Sequence, residues 1–186
     1  MKNKVSNRFE AGRRLMMTVM ILMVAMGVIF GQSTKIKIWK NAENKHYRHF
    51  YSTITLYTPA DSIRNGASVI VCHGGSYHHL GLNHEGRQVA QWFQSQGVTA
   101  AVLRYRVSGH GFHHPAMIED IQRSIQWMRV NAPQYQLDTN RVGVIGFSAG
   151  GHLVVMSGEF AHHDYLREAG LSNSVSLRPN FIMSIY

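Results

Sequence analysis

The chain has one cysteine, Cys72, so no disulfide can form within it, and its stability must come from packing and hydrogen bonds. Acidic residues are scarce: ten, against 19 lysines and arginines, for a formal charge of +9. The basic excess gathers into no patch with interleaved aromatics, which argues against a nucleic-acid partner. No internal repeat or low-complexity tract interrupts the sequence. Long apolar runs are also lacking, with one exception. Leu15 to Phe30 is free of charge but falls short of the roughly 20 residues of a comfortable membrane span.

That run follows Lys2, Lys4, Arg8, Arg13 and Arg14, with Glu10 the one acid among them. A basic segment leading into a short apolar one has the form of a secretory signal peptide, so residues 1–31 are read as an export signal. Cleavage is placed near Gly31 or Gln32, and the alternative is a retained N-terminal anchor. Without 1–31 the charge falls from +9 to +5. The expected location is therefore periplasmic or extracellular, with no membrane contact beyond the signal. The remaining 32–186 are long enough for one domain, and the whole chain's 45% hydrophobic and 16% charged residues suit a folded protein.

Strand and helix patterns alternate along that domain. After a polar lead-in from Gln32 to His49, residues 50–58 alternate as an early strand does. Buried strands are predicted at 68–73, 98–103 and before Ser148, and another begins in 178–186. A helix is predicted from about His84 to Gln96, with Asn83 as cap and Val89, Trp92 and Phe93 on one face. A second opens at Pro115, with Ile118, Ile121, Ile125 and Met128 at helical spacing. This order implies an α/β fold: a mostly parallel, doubly wound sheet with helices on both faces.

The chain is organised around 141–155. Val142, Val144 and Ile145 form a buried-strand run, Gly146-Phe147-Ser148-Ala149-Gly150 has the form G-x-S-x-G, and a helix-compatible segment follows. Strand, tight turn and helix in that order make a nucleophile elbow, which lifts the Ser148 hydroxyl above the sheet near a helix N-terminus. The plainer alternative is a glycine-rich turn with a capping serine. A second run, 68–77, ends in His73-Gly74-Gly75, and glycines after a strand leave N–H groups unshielded for an oxyanion.

These two motifs together resemble the α/β-hydrolases of the esterase/lipase type. His84-Glu85-Gly86, the run Thr99 to Arg106 and Gly146 to Leu153 are more narrowly similar to secreted bacterial carbohydrate esterases, of the acetyl-xylan and feruloyl kind. The similarity runs from about Ser52 to Tyr186. It implies Ser148 as nucleophile and an oxyanion hole built from the N–H groups of Gly74, Gly75 and Ala149. His73, Gly146 and Gly150 would support the two motifs. It implies a small-molecule or polysaccharide ester as substrate, and no cofactor. Ser76 departs from the pattern, since many relatives carry a third glycine there.

A serine nucleophile needs a histidine base and usually an orienting carboxylate, in the chain order Ser, acid, His. Glu159, Asp164 and Glu168 follow Ser148, but no histidine follows Asp164. His152 lies one helical turn from the elbow and reads as structural. His162 and His163 with Asp164 read as a solvated turn, and Cys72 as a core residue. His110, His113 and His114, with His78 and His79, lack a recognised metal-ligand spacing and read as the rim of a binding site; no metal site is assigned. The resemblance implies that the acid and histidine lie beyond Tyr186, so 32–186 is read as an incomplete hydrolase domain, truncated after the strand that follows the nucleophile helix. The alternatives are a non-catalytic, exported hydrolase-like binding module, or a serine peptidase of the same fold. Intact-mass measurement of the native protein separates these readings. A mass well above 21.0 kDa is expected; a mass at or slightly below it would favour the binding module.

Overall fold

The computed structural model describes Glu10 and residues 12–18, 31–39 and 52–186. The signal-peptide reading falls mostly outside these residues. Within it, 12–18 are helical and exposed. Among the described residues no helix is long and apolar enough to cross a membrane.

Every residue of β3 (Ser68–Cys72) is buried. Val69 and Val71 point to one side of the sheet and Ile70 and Cys72 to the other, each side carrying its own apolar cluster. A strand apolar on both faces belongs in the middle of a covered sheet. β3 lies between β4 (Thr99–Arg104) and β5 (Val142–Phe147), parallel to both. β6 (Phe181–Ile185) pairs parallel with β5. On the other side β2 (Thr53–Thr58) runs antiparallel to β4, and β1 (Gln32–Lys37) antiparallel to β2. The order is β1-β2-β4-β3-β5-β6. The sheet is thus mixed, with its parallel strands grouped around β3. The segment from Gln32, expected as a lead-in, is an edge strand. Its residues are almost all exposed, so it carries no burial signal.

One face is covered by α1 (Gln88–Ser95), which buries Ala90 against Tyr57, Val69, Val71, Ala100, Val102 and Ile145. Val89 and Phe93 pack beside it, but Trp92 is 59% exposed and meets Phe93 edge-on. Trp92 thus stands off the buried face that the helical spacing assigned to it. A π-helical turn, Asn83–Arg87, precedes α1, and Asn83 makes no N-cap bond. The buried face is centred on Ala90, between Val89 and Phe93, and position 92 falls outside it. The opposite face is covered by α2 (Ala116–Val130) and α3 (Ala149–Glu159). Ile118, Ile121, Ile125 and Met128 of α2 are completely buried there, with Leu153 and Val154 of α3.

A buried carboxylate ties α2 to the segment that follows β4. Asp120 Oδ1 accepts from Trp39 Nε1 at 2.8 Å and Arg106 Nη2 at 2.9 Å. Its Oδ2 accepts from Ser52 Oγ at 2.7 Å, and from Arg106 N and Nε at 2.8 and 3.0 Å. Arg106 also donates to Glu119 and to the Ala116 carbonyl. Burial works against the Arg106 charge, but Asp120 and Glu119 outweigh it and hold its pKa above the ordinary value. Asp120→Ala would leave a buried guanidinium without its main counter-charge. The expected loss of unfolding free energy is about 3–5 kcal/mol, measured by chemical denaturation. A loss under about 1 kcal/mol would show the pair to be dispensable.

Candidate active site

One residue separates β5 from α3. Ser148 turns the chain with φ 50° and ψ −120°, a conformation that costs a side-chain-bearing residue about 1–3 kcal/mol. The turn closes only because its neighbours are glycines. A Cβ on Gly146 would lie 2.0 Å from the Gly150 carbonyl oxygen, and one on Gly150 would lie 2.1 Å from that of Cys72. The first turn of α3 therefore rests directly on the ends of β5 and β3. Ser148 N–H donates to Ile185 O on β6 at 2.9 Å, and His152 N–H donates to Ser148 O at 3.0 Å. Ser148 itself is exposed.

Since β3 and β5 are neighbours, the segment after β3 emerges beside the elbow. A Cβ on Gly74 would stand 3.1 Å from that of Ser148 and 2.8 Å from the Phe147 carbonyl oxygen. Gly75 (φ 134°), Ser76 (φ 54°) and Tyr77 (φ 56°) then curl the loop back, with His78 N and His79 N both donating to Gly75 O. Ser76 thus occupies a left-handed position where the third glycine of the resembling enzymes would sit without strain.

The structure brings Ser148, Gly74, Gly75 and Ala149 together at the ends of the two strands. It corrects the role expected of Gly74: its N–H donates to Glu85 Oε2 at 2.8 Å. The N–H groups of Gly75 and Ala149 have no hydrogen-bond acceptor among the described residues. Glu85 sits on the π-helical turn. Sequence reasoning noted its neighbourhood only as part of a resemblance, since a contact across 11 residues has no local signature.

His73 is fully buried, stacked on Tyr105 at 5.2 Å between ring centroids. Its Nε2 has no partner among the described residues. Burial pulls its pKa down to about 4, with the Gly74 and Leu103 backbone and Glu85 pulling weakly the other way. It is a neutral packing residue beneath the loop. Tyr105, buried and with its hydroxyl pushed up by burial, donates to the His73 carbonyl at 2.7 Å. Cys72 is sealed in the core, and burial raises its thiol pKa far from thiolate formation.

The His152 ring turns to Tyr77 and makes no hydrogen bond to the Ser148 side chain. Its Nδ1 hydrogen-bonds the Tyr77 hydroxyl at 2.8 Å, at the mouth of an apolar cavity of about 360 Å³. Tyr77, Phe112, His113, Met117, His152 and Met156 are among its walls. Two of the rim histidines, His113 and His114, line this cavity. His163 pairs with Glu168 at 2.7 Å on the surface, and Asp164 caps the turn Tyr165–Glu168.

A strained serine between strand and helix, beside a glycine loop on the adjacent parallel strand, defines the class: this is an α/β-hydrolase fold with a nucleophile elbow. Residues 54–179 match the BD-FAE family, and the chain belongs to it. The acetylxylan esterase of Xylanibacter ruminicola is 30% identical over 122 residues, 66% of this chain and 22% of that protein. The crystal structure of an acetyl ester-xyloside bifunctional hydrolase from Caldicellulosiruptor lactoaceticus superposes with TM-score 0.65 at 33% identity, over 80% of this chain and 55% of that one. A thermophilic esterase of Thermogutta terrifontis matches at TM-score 0.65 and 19% identity, over 81% of this chain and 53% of that one, and speaks for the fold alone. The chain thus spans about a fifth of the first relative and about half of the two solved structures.

His73 carries a pH prediction. Its ordinary value is 6.5 and its folded value about 4, so above pH 6.5 both folded and unfolded states leave it neutral. Between 6.5 and 4 only the unfolded chain takes up the proton. Stability should therefore fall with pH across that window, by about 3 kcal/mol at its lower end. Urea titrations at several pH values check this, and His73→Phe, which keeps a stacking ring but cannot titrate, should flatten the slope.

Proposed function

We propose that this chain carries the nucleophile and oxyanion hole of an exported serine carboxylester hydrolase acting on acyl esters of carbohydrates. The observation that carries the reading is Ser148: exposed, held at φ 50°, and packed against the glycine loop of the next strand. Support for the substrate class comes from the acetylxylan esterase and the acetyl ester-xyloside hydrolase, at 30% and 33% identity. Support for export comes from the basic then apolar order of residues 1–31.

Ser148 Oγ attacks the ester carbonyl carbon while a base takes its proton. The carbonyl oxygen becomes an oxyanion between Gly75 N–H and Ala149 N–H, beside the positive end of α3. Collapse expels the alcohol, which leaves with that proton, and an acyl-Ser148 ester remains. Water, deprotonated by the same base, then releases the carboxylic acid and restores the serine. In this reading the base and its carboxylate come from chain after β6, in the order the fold uses. The apolar cavity past Tyr77 and His152 receives the less polar part of the ester.

In the full-length protein, Ser148→Ala is expected to lower turnover of an activated acetate ester by at least about 10³-fold, measured against uncatalysed hydrolysis. Turnover equal to that of the unaltered protein would sink the serine assignment, and no turnover by the unaltered protein would leave a binding module as the better account.

A further inference from the structure

The oxyanion loop is held in a way that the nucleophile motif does not explain. Two peptide planes meet at Gly74. In the first, linking 73 and 74, the His73 carbonyl accepts the Tyr105 hydroxyl at 2.7 Å and the Gly74 N–H donates to Glu85 Oε2 at 2.8 Å. In the second, linking 74 and 75, the Gly74 carbonyl accepts Gly81 N–H at 3.0 Å. A trans peptide puts its C=O and N–H on opposite edges, so fixing one fixes the direction of the other. Three of the four polar ends are tied down. The fourth is Gly75 N–H, a donor assigned above to the oxyanion.

Space around the clamp is equally restricted. A Cβ on Gly74 would be 3.0 Å from Glu85 Oε2, and so would one on Gly81. The carboxylate fills the gap between the two ends of the loop 74–81, touching both. Its own backbone is set by the π-helical turn, which packs on β3 and β4 and buries Gly86 against Val102.

We infer that Glu85 is a positioning residue for the oxyanion hole. Its carboxylate holds the Gly74 N–H and, with Tyr105, locks the 73–74 peptide plane, on which the 74–75 plane carrying the Gly75 donor is hinged. The inference rests on the esterase reading for its kinetic consequence and on geometry alone for the clamp. A carboxylate accepting from a backbone N–H forms a charge-assisted bond, stronger than a neutral one, and leaves the donor little freedom to turn. An oxyanion donor acts most in the transition state, so misaiming it should affect kcat more than KM.

The test compares Glu85→Ala, Glu85→Asp and Glu85→Gln in the full-length protein. Removing an oxyanion donor outright costs about 10²–10³ in kcat, so releasing its support in Glu85→Ala should cost about 10-fold or more, with KM nearly unchanged. Glu85→Asp is one methylene too short to reach Gly74 and should fall similarly. Glu85→Gln keeps an acceptor oxygen and should stay within about 3-fold of the unaltered enzyme. Tyr105→Phe frees the other edge of the same plane without touching Glu85, and should also lower kcat. If Glu85→Ala does not fold, the aspartate and Tyr105 variants decide. Unaltered kcat in a folded Glu85→Ala or Glu85→Asp protein, or a change in KM alone, overturns the inference.

A readout free of turnover separates the clamp from the chemistry. The Gly74 amide proton should resonate downfield in the unaltered protein and in Glu85→Gln, and move upfield in Glu85→Ala with an accompanying shift at Gly75. Absence of ester turnover with these shifts present would fail the esterase reading but uphold the clamp. A Gly74 resonance indifferent to Glu85 would refute the clamp, whatever the enzyme does.

Discussion

The structure depends on one close approach of backbones. The first turn of α3 sits so near the ends of β3 and β5 that Gly150 touches the carbonyls of Cys72 and His73, and Gly146 touches Gly150. Nothing larger than hydrogen fits at either position. With the helix this close, the connecting residue has no route except a positive φ, and its side chain has no direction except outward. The exposed serine is a geometric result of the packing beneath it.

Strand order converts that local constraint into a site. β4 follows β3 in sequence and lies on one side of it, while β5 lies on the other. The chain thus reverses its direction of travel across the sheet at β3, and a crevice opens at the carboxyl ends of β3 and β5. The glycine loop leaves one strand and the serine ends the other. Asp120 and Arg106 fasten the opposite flank, joining Trp39, Ser52 and α2 to the end of β4 through hydrogen bonds that satisfy both charges. Tyr105, next to Arg106, reaches across to His73, so the same strand end braces both the core and the loop.

Much of this was legible in the residue order. The apolar strands, the α2 face and the two glycine motifs each carry a local signal, periodic or conformational, and each stands where its pattern put it. What escaped has a common physical character. β1 is an edge strand with nearly all its residues exposed, so no apolar alternation marks it. Trp92 faces outward because the buried face of α1 is centred on Ala90, between Val89 and Phe93, which leaves position 92 off its margin. Gly74 looks like an oxyanion donor in sequence, but its N–H is claimed by Glu85 through folding alone. Asp120 sits in a helix as an ordinary acid, and its burial depends on Trp39 and Ser52, 81 and 68 positions away. Periodicity reports which faces are covered; it does not report which polar atoms find one another.

The backbone at Ser148 has a further meaning. A glycine there would relieve the strain of φ 50° at no steric cost, so folding by itself favours losing the side chain. Drift toward greater stability would erase the hydroxyl before it disturbed anything else in the elbow. Ser148 thus keeps a side chain where the backbone favours none, and the nucleophile proposed above is held against that preference.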